Sequence, residues 1–167
     1  VRTWAIGMLG AAALVLAVAA APQPLPAQQE STNVRLTYLQ TRAAIFDTLA
    51  AQQRFSLARA EGNEVAQRAA AAQMLANLSL ADALTARLDE TVTASAYSEE
   101  IDRNVADLHE IVMTAFDNLD EPLMANDLSA IGQRLDESGD VFNRLSRTIR
   151  TVDDTLFPHL SPRPQGR

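Results

Sequence analysis

From Ser31 onward apolar residues return every three or four positions, the period of an α-helix that buries one face, and no stretch alternates as a strand would. Four helices follow from this pattern. The first runs from about Ser31, an N-cap residue type, to Ala60, with Val34, Tyr38, Ile45, Phe46 and Leu49 on its apolar face and Glu61-Gly62-Asn63 as its stop. Asn63 then caps a second helix over about Glu64 to Thr91, whose stripe is Ala70, Met74, Leu78, Ala81, Leu84 and Leu88. The third starts near Tyr97 and places Glu99, Glu100 and Asp102 where the helix dipole favours negative charge. It repeats at Ile101, Val105, Leu108, Val112, Ala115 and Leu119, and Pro122 ends it. The fourth extends from about Asp127 to Phe157. Its seam is Leu128, Ile131, Leu135, Ser138, Phe142, Leu145, Ile149, Val152 and Leu156, in which only Ser138 is polar.

Long helices on short connections favour antiparallel neighbours, so the expected fold is all-α, an antiparallel four-helix bundle over residues 31–158, about 35 to 45 Å long at 1.5 Å per residue. A fifth helix arises if the last one breaks near Gly139, because Gly139 can close one segment and Asp140 cap the next. The unbroken apolar seam argues for one helix. Residues 159–167, rich in proline and polar groups, read as a flexible tail.

An uncharged apolar run, Trp4 to Ala21, precedes the helical region, with Arg2 before it and the Pro/Gln-rich spacer 22–30 after it. Its apolar body is built by Trp4, Ile6, Met8, Leu9, Leu14, Val15, Leu16 and Val18. Such a segment is a signal peptide, with Ala17-Val18-Ala19 or Val18-Ala19-Ala20 as the small-residue cleavage site, or an N-terminal transmembrane anchor, for which it is just long enough; a third reading, a buried core helix, needs a larger protein around a helix so apolar on every face. The first two place residues 31–158 outside the cytoplasm, in the periplasm of a bacterium. Alanine is abundant and every basic residue is arginine, a usage associated with GC-rich bacterial genomes.

The formal charge is −7, and −8 once Arg2 is set apart, so the electrostatic footprint of a nucleic-acid binder is missing. The absence of cysteine removes disulfides, thiolate nucleophiles, iron–sulfur clusters and thiolate zinc sites together. His109 and His159 are the only histidines, and neither has a Glu or His at helical ligand spacing. The Glu-x-x-His pairs of di-iron bundles are missing, since Ala106 stands three residues before His109. Met74, Met113 and Met124 read as packing residues rather than haem ligands. Asp117, Asp120, Glu121 and Asp127 gather around the third connection, yet they form no calcium loop and suit helix ends equally well. Asp136, Glu137 and Asp140 read as a solvated face, with Asp140–Arg144 and Glu99–Arg103 as i,i+4 ion pairs.

With no catalytic residues, cofactor or metal ligands to name, the expected role is a non-catalytic interaction or scaffold module with a protein partner. If the N-terminal helix is retained, it is an accessory subunit of a larger membrane assembly. The alternative is a periplasmic sensor or small-ligand-binding bundle with a cavity lined by Gln52, Gln53 and Ser138. Candidate partner-docking or close-packing positions are Gly132 and Gly139, seven residues apart on one edge of the seam, and the basic stripe Arg144, Arg147 and Arg150. The stripe is read as paired with Asp153 and Asp154 unless a partner takes it.

Overall fold

The computed structural model describes residues 26–95 and 97–157, with side-chain surroundings from Ser31 onward. The apolar run with Trp4, Ile6, Met8, Leu9, Leu14, Val15, Leu16 and Val18, most of the spacer, and the tail with His159 lie outside the described residues. Among the described residues no helix is long and apolar enough to cross a membrane.

Among the described residues the fold is all-helical, with five helices: α1 Pro26–Ala60, α2 Glu64–Thr93, α3 Glu99–Met124, α4 Leu128–Glu137 and α5 Gly139–Leu156. The first begins before Ser31, at Pro26. Proline suits a first helical turn, where its missing N–H has no partner to lose. Two of the connections are one device used twice. Gly62 (φ +68°) and Asn126 (φ +53°) adopt the left-handed conformation just past α1 and α3. Their N–H groups donate to Arg59 O at 3.1 Å and Leu123 O at 3.1 Å, and the next residues donate to Ala58 O at 2.9 Å and Pro122 O at 3.0 Å. Those next residues then turn round and cap the following helix. Asn63 Oδ1 accepts from Ala66 N–H at 3.1 Å, and Asp127 Oδ1 accepts from Ser129 and Ala130 N–H at 3.0 Å each.

Pro122 therefore does not end α3. It sits in the last turn, where it forfeits one backbone bond, and its carbonyl takes the closing bond from Asp127. Ser98 caps the start of α3, its Oγ accepting from Ile101 N–H at 3.4 Å, ahead of Glu99, Glu100 and Asp102.

The expected single fourth helix is two. It breaks at Ser138 (φ −93°, ψ 11°), one residue before Gly139, where two weak helix formers stand side by side. Ser138 N–H still donates to Arg134 O at 2.9 Å, and Ser138 O accepts from Val141 and Phe142 N–H at 3.0 and 3.3 Å, so the backbone ladder passes through this one residue. The apolar seam survives the break, with Ile131, Leu135, Ser138, Phe142, Leu145, Ile149, Val152 and Leu156 all buried.

One core runs the length of the fold. α1 packs along α2, α2 along α3, and α3 along α4 and α5, while α1 meets α4 and α5 only sparsely. Ala44, Ala51 and Ala58 of α1 and Ala70, Ala71 and Ala81 of α2 are buried, small side chains that let the two backbones approach. Larger residues, Tyr38, Ile45, Phe55, Met74, Leu78 and Leu108, fill the centre. Thr48 and Thr85 are buried without polar cost because their hydroxyls donate to Ala44 O and Ala81 O, each at 2.9 Å, one turn earlier.

Candidate interaction site

Phe46 departs from the expected core face. It is 46 % exposed, while Val34, Tyr38 and Ile45 are buried. Its neighbours explain why. Leu36, Leu39, Ala43, Phe46, Ala50, Gln53, Leu57 and Ala60 follow one another at alternating spacings of three and four, and all eight are exposed. In heptad terms Leu36, Ala43, Ala50 and Leu57 are a positions, and Leu39, Phe46, Gln53 and Ala60 are d positions. The buried residues Thr41, Ala44, Ile45, Thr48, Ala51 and Phe55 occupy b, c and f, on the opposite side of the helix. α1 is thus apolar on two opposed faces. One is covered by α2, α4 and α5, and among the described residues nothing covers the other.

The seam is flanked on one side by Arg35, Arg42, Leu49 and Ser56 and on the other by Gln40, Asp47 and Arg54. Arg42 lies over Phe46, its guanidinium carbon 5.2 Å from the ring centroid. The same side chain reaches inward, with Nε 3.2 Å from Asp153 Oδ2. That is ion-pair contact without a directed hydrogen bond, because the N–H is not aimed at the carboxylate.

A second surface lies between α1 and the α4–α5 pair, bounded by two latches. At one end the Tyr38 hydroxyl donates its single proton between Ile149 O at 3.0 Å and Asp153 Oδ1 at 2.9 Å. Burial, together with the neighbouring Asp153 carboxylate, pushes the Tyr38 phenol well above its ordinary range. At the other end Arg59 Nη1 donates to Gly132 O at 3.2 Å and Asp136 Oδ2 at 2.9 Å. Between the latches runs an open groove of about 490 Å³, with Leu49 and Phe142 among its lining and Gln52, Gln53, Ser56, Asn143 and Ser146 as its polar groups.

Gln52 and Gln53 accordingly line a cavity between helices. Ser138 is buried and does not. The two glycines separate: a Cβ on Gly132 would lie 2.9 Å from the Arg59 guanidinium, so that position is filled from within the fold, whereas Gly139 faces open space beside the groove. Arg144, Arg147 and Arg150 are exposed, and Arg144 and Arg147 border a hollow with Asp107 and Ile111. The expected pairing of this stripe with Asp153 does not form; that carboxylate is held by Tyr38 and Arg42 instead. Asp140–Arg144 and Glu99–Arg103 are likewise not among the ion pairs of the described residues. The ion pairs that do form include Arg42–Asp153, Arg59–Asp136, Arg68–Glu64 and Arg134–Glu137. On an exposed helix such pairs contribute little, and long side chains disperse into water.

His109 is half-buried, with Nδ1 3.2 Å from Thr85 Oγ1. The Thr85 hydroxyl spends its proton on carbonyls of its own helix, so its oxygen accepts and His109 Nδ1 carries the proton. Asp127 is committed to capping α4. Among the described residues no group of three or more His, Cys, Asp or Glu is arranged to hold a metal ion. The chain matches no known protein-family model and no curated protein at a significant level.

Proposed function

We infer that this chain is a non-catalytic scaffold module exported from the cytoplasm, an antiparallel four-rod bundle in which α4 and α5 form one broken rod. It binds a helical protein partner along the outer face of α1. The observation that carries this reading is the exposed heptad seam. A helix that leaves Leu36, Leu39, Phe46 and Leu57 in water at coiled-coil spacing has an apolar surface of the shape another helix covers. Side-chain links support the antiparallel arrangement. Residues 38 and 59 of α1 meet residues 149–153 and 132–136, and Thr93 and Thr85 meet Asp102 and His109, so sequence runs oppositely in each pair. The apolar run from Trp4 to Ala21 supports export, and retention of that run makes the module an anchored subunit.

The test is purification of the native protein from membranes in mild detergent, with and without Leu39→Glu and Phe46→Glu. The expected result is a stoichiometric helical partner, a second copy included, that is lost in both variants while the helical circular dichroism is kept. Recovery of a lone, monomeric chain under several detergents, or of a stoichiometric metal or chromophore, overturns the reading.

A second reading rests on the groove between α1 and α5. Its uncharged hydrogen-bonding groups, Gln52, Gln53, Ser56, Asn143 and Ser146, suit a small neutral polar ligand. Thermal-shift screening with neutral sugars and amino-acid amides tests it, and a shift abolished by Gln52→Leu or Asn143→Leu supports it. No shift with any of them removes it.

A further inference from the structure

We propose that the α1 seam is covered by a second copy of this chain, as a parallel, in-register two-stranded coiled coil. This rests on the scaffold reading for the seam's being an interface and goes beyond it in naming the occupant and its direction.

Charge selects the direction. In a parallel pair, each g position faces the e position five residues on in the other copy. That brings Arg42, whose Nε also touches Asp153 of its own copy, near Asp47 of the other copy, twice by symmetry. In the antiparallel register with the longest overlap, where a positions face d positions, Asp47 meets Asp47 across the two-fold axis. The parallel arrangement turns this repulsion into two attractions. Layer composition agrees with it: the large layers Leu36, Leu39, Phe46 and Leu57 pack on themselves, the alanine layers between them let the helices close, and Gln53 meets Gln53. A buried amide pair of this kind satisfies its hydrogen bonds only in register, so it penalises slippage.

The direction also suits the rest of the chain. The apolar run of residues 4–21 lies on the N-terminal side of α1 in both copies. Two copies anchored in one membrane enter it from the same side, which a parallel pair satisfies and an antiparallel pair of α1 helices does not. Area sets the strength. At 55 %, 45 %, 46 % and 61 % exposed, Leu36, Leu39, Phe46 and Leu57 offer about 400 Å² per copy before the flanking stems are added. The total falls at the low end of specific interfaces. The dimer is therefore weak in dilute solution and favoured where co-anchoring raises the effective concentration.

The full chain, which contains no cysteine, is tested in native membranes with single substitutions Ala43→Cys, an a position, and Gln53→Cys, a d position. Ala83→Cys, exposed on α2, is the control. Under mild oxidation each seam variant alone is expected to give a disulfide-linked homodimer at about ten-fold or more the control yield, and adding Leu39→Glu is expected to return both to the control level. A crosslink that forms only when Ala43→Cys and Gln53→Cys copies are mixed reveals the antiparallel register, since those positions face each other there, and overturns the proposal. Control-level yield in every combination also overturns it. If yield stays at control level while Leu39→Glu still releases a different helical protein, the second copy is wrong and the scaffold reading stands. If no partner is released either, both fall.

Discussion

Asn126 and Gly62 do the same work with different means. Both close a helix in the left-handed conformation, and only glycine does so without a Cβ penalty. Asn126→Gly is therefore expected to raise stability by about 0.5–1 kcal/mol, read as a shift in chemical denaturation midpoint at unchanged slope. The other informative glycines are expected to differ. Gly139→Ala adds a methyl into open space and gains helix propensity, up to about 1 kcal/mol. Gly132→Ala pushes on the Arg59 guanidinium, and the surface contacts it displaces offset that gain, leaving a net change within about 0.5 kcal/mol. Equal gains at both positions would show that Arg59 is not held where the structure has it. Tyr38 has a pH signature. Its phenol is kept protonated in the fold but ionises near its ordinary pKa of about 10 when unfolded, so the folded state binds more protons above that pH. The stability this contributes is complete below about pH 10 and lost as pH rises further. Denaturation at a series of alkaline pH values should show the decline, and Tyr38→Phe should remove Tyr38's share of it.

At the scale of elements, α2, α3 and the final seam were legible in the sequence because each carries a single apolar stripe, and a single stripe has only one way to face. α1 was not. Val34, Tyr38, Ile45 and Phe46 look alike as apolar letters at helical spacing, and periodicity does not say which of two opposed stripes turns inward. The structure resolves this through the buried threonines, which sit with Phe55 on the inner side, while Phe46 joins the leucines outside. The interface candidate was missed for the same reason. Its signal was present as a run of a and d positions from Leu36 to Ala60, but a core stripe in the same helix masked it. The break at Ser138 was visible only as an alternative, because the seam crosses it intact. The two faces make opposite predictions for residues of identical type. Phe46→Ala is expected to change the unfolding free energy by no more than about 0.5 kcal/mol in the monomer, and Phe55→Ala to cost about 3–5 kcal/mol, both measured by denaturant titration.

The whole molecule is tightly joined from α1 through α2 and α3 to α5 and loosely joined where α1 comes back to α4 and α5. Two latches hold that edge, and they grip different helices: Arg59 holds Gly132 and Asp136 of α4, Tyr38 holds Ile149 and Asp153 of α5. From residue 38 to residue 59 of one helix is about 30 Å, far beyond the range over which substitutions couple directly. Coupling between the latches can travel along α1, which carries both Tyr38 and Arg59, or through α4 and α5, which are interrupted at Ser138. If the interruption isolates α4 from α5, Tyr38→Phe and Arg59→Ala should each destabilise by roughly 0.5–1.5 kcal/mol, and the double variant should equal their sum within about 0.5 kcal/mol. A larger discrepancy would mean that strain passes either along unbroken α1 or through the backbone bonds at Ser138. Ser138→Ala combined with Gly139→Ala supplies the contrast. It replaces both weak helix formers at the junction, so in that background the two latches should become coupled. The groove they frame, with Gly139 at its edge, should then exchange its α5 amides more slowly, which hydrogen exchange reads directly.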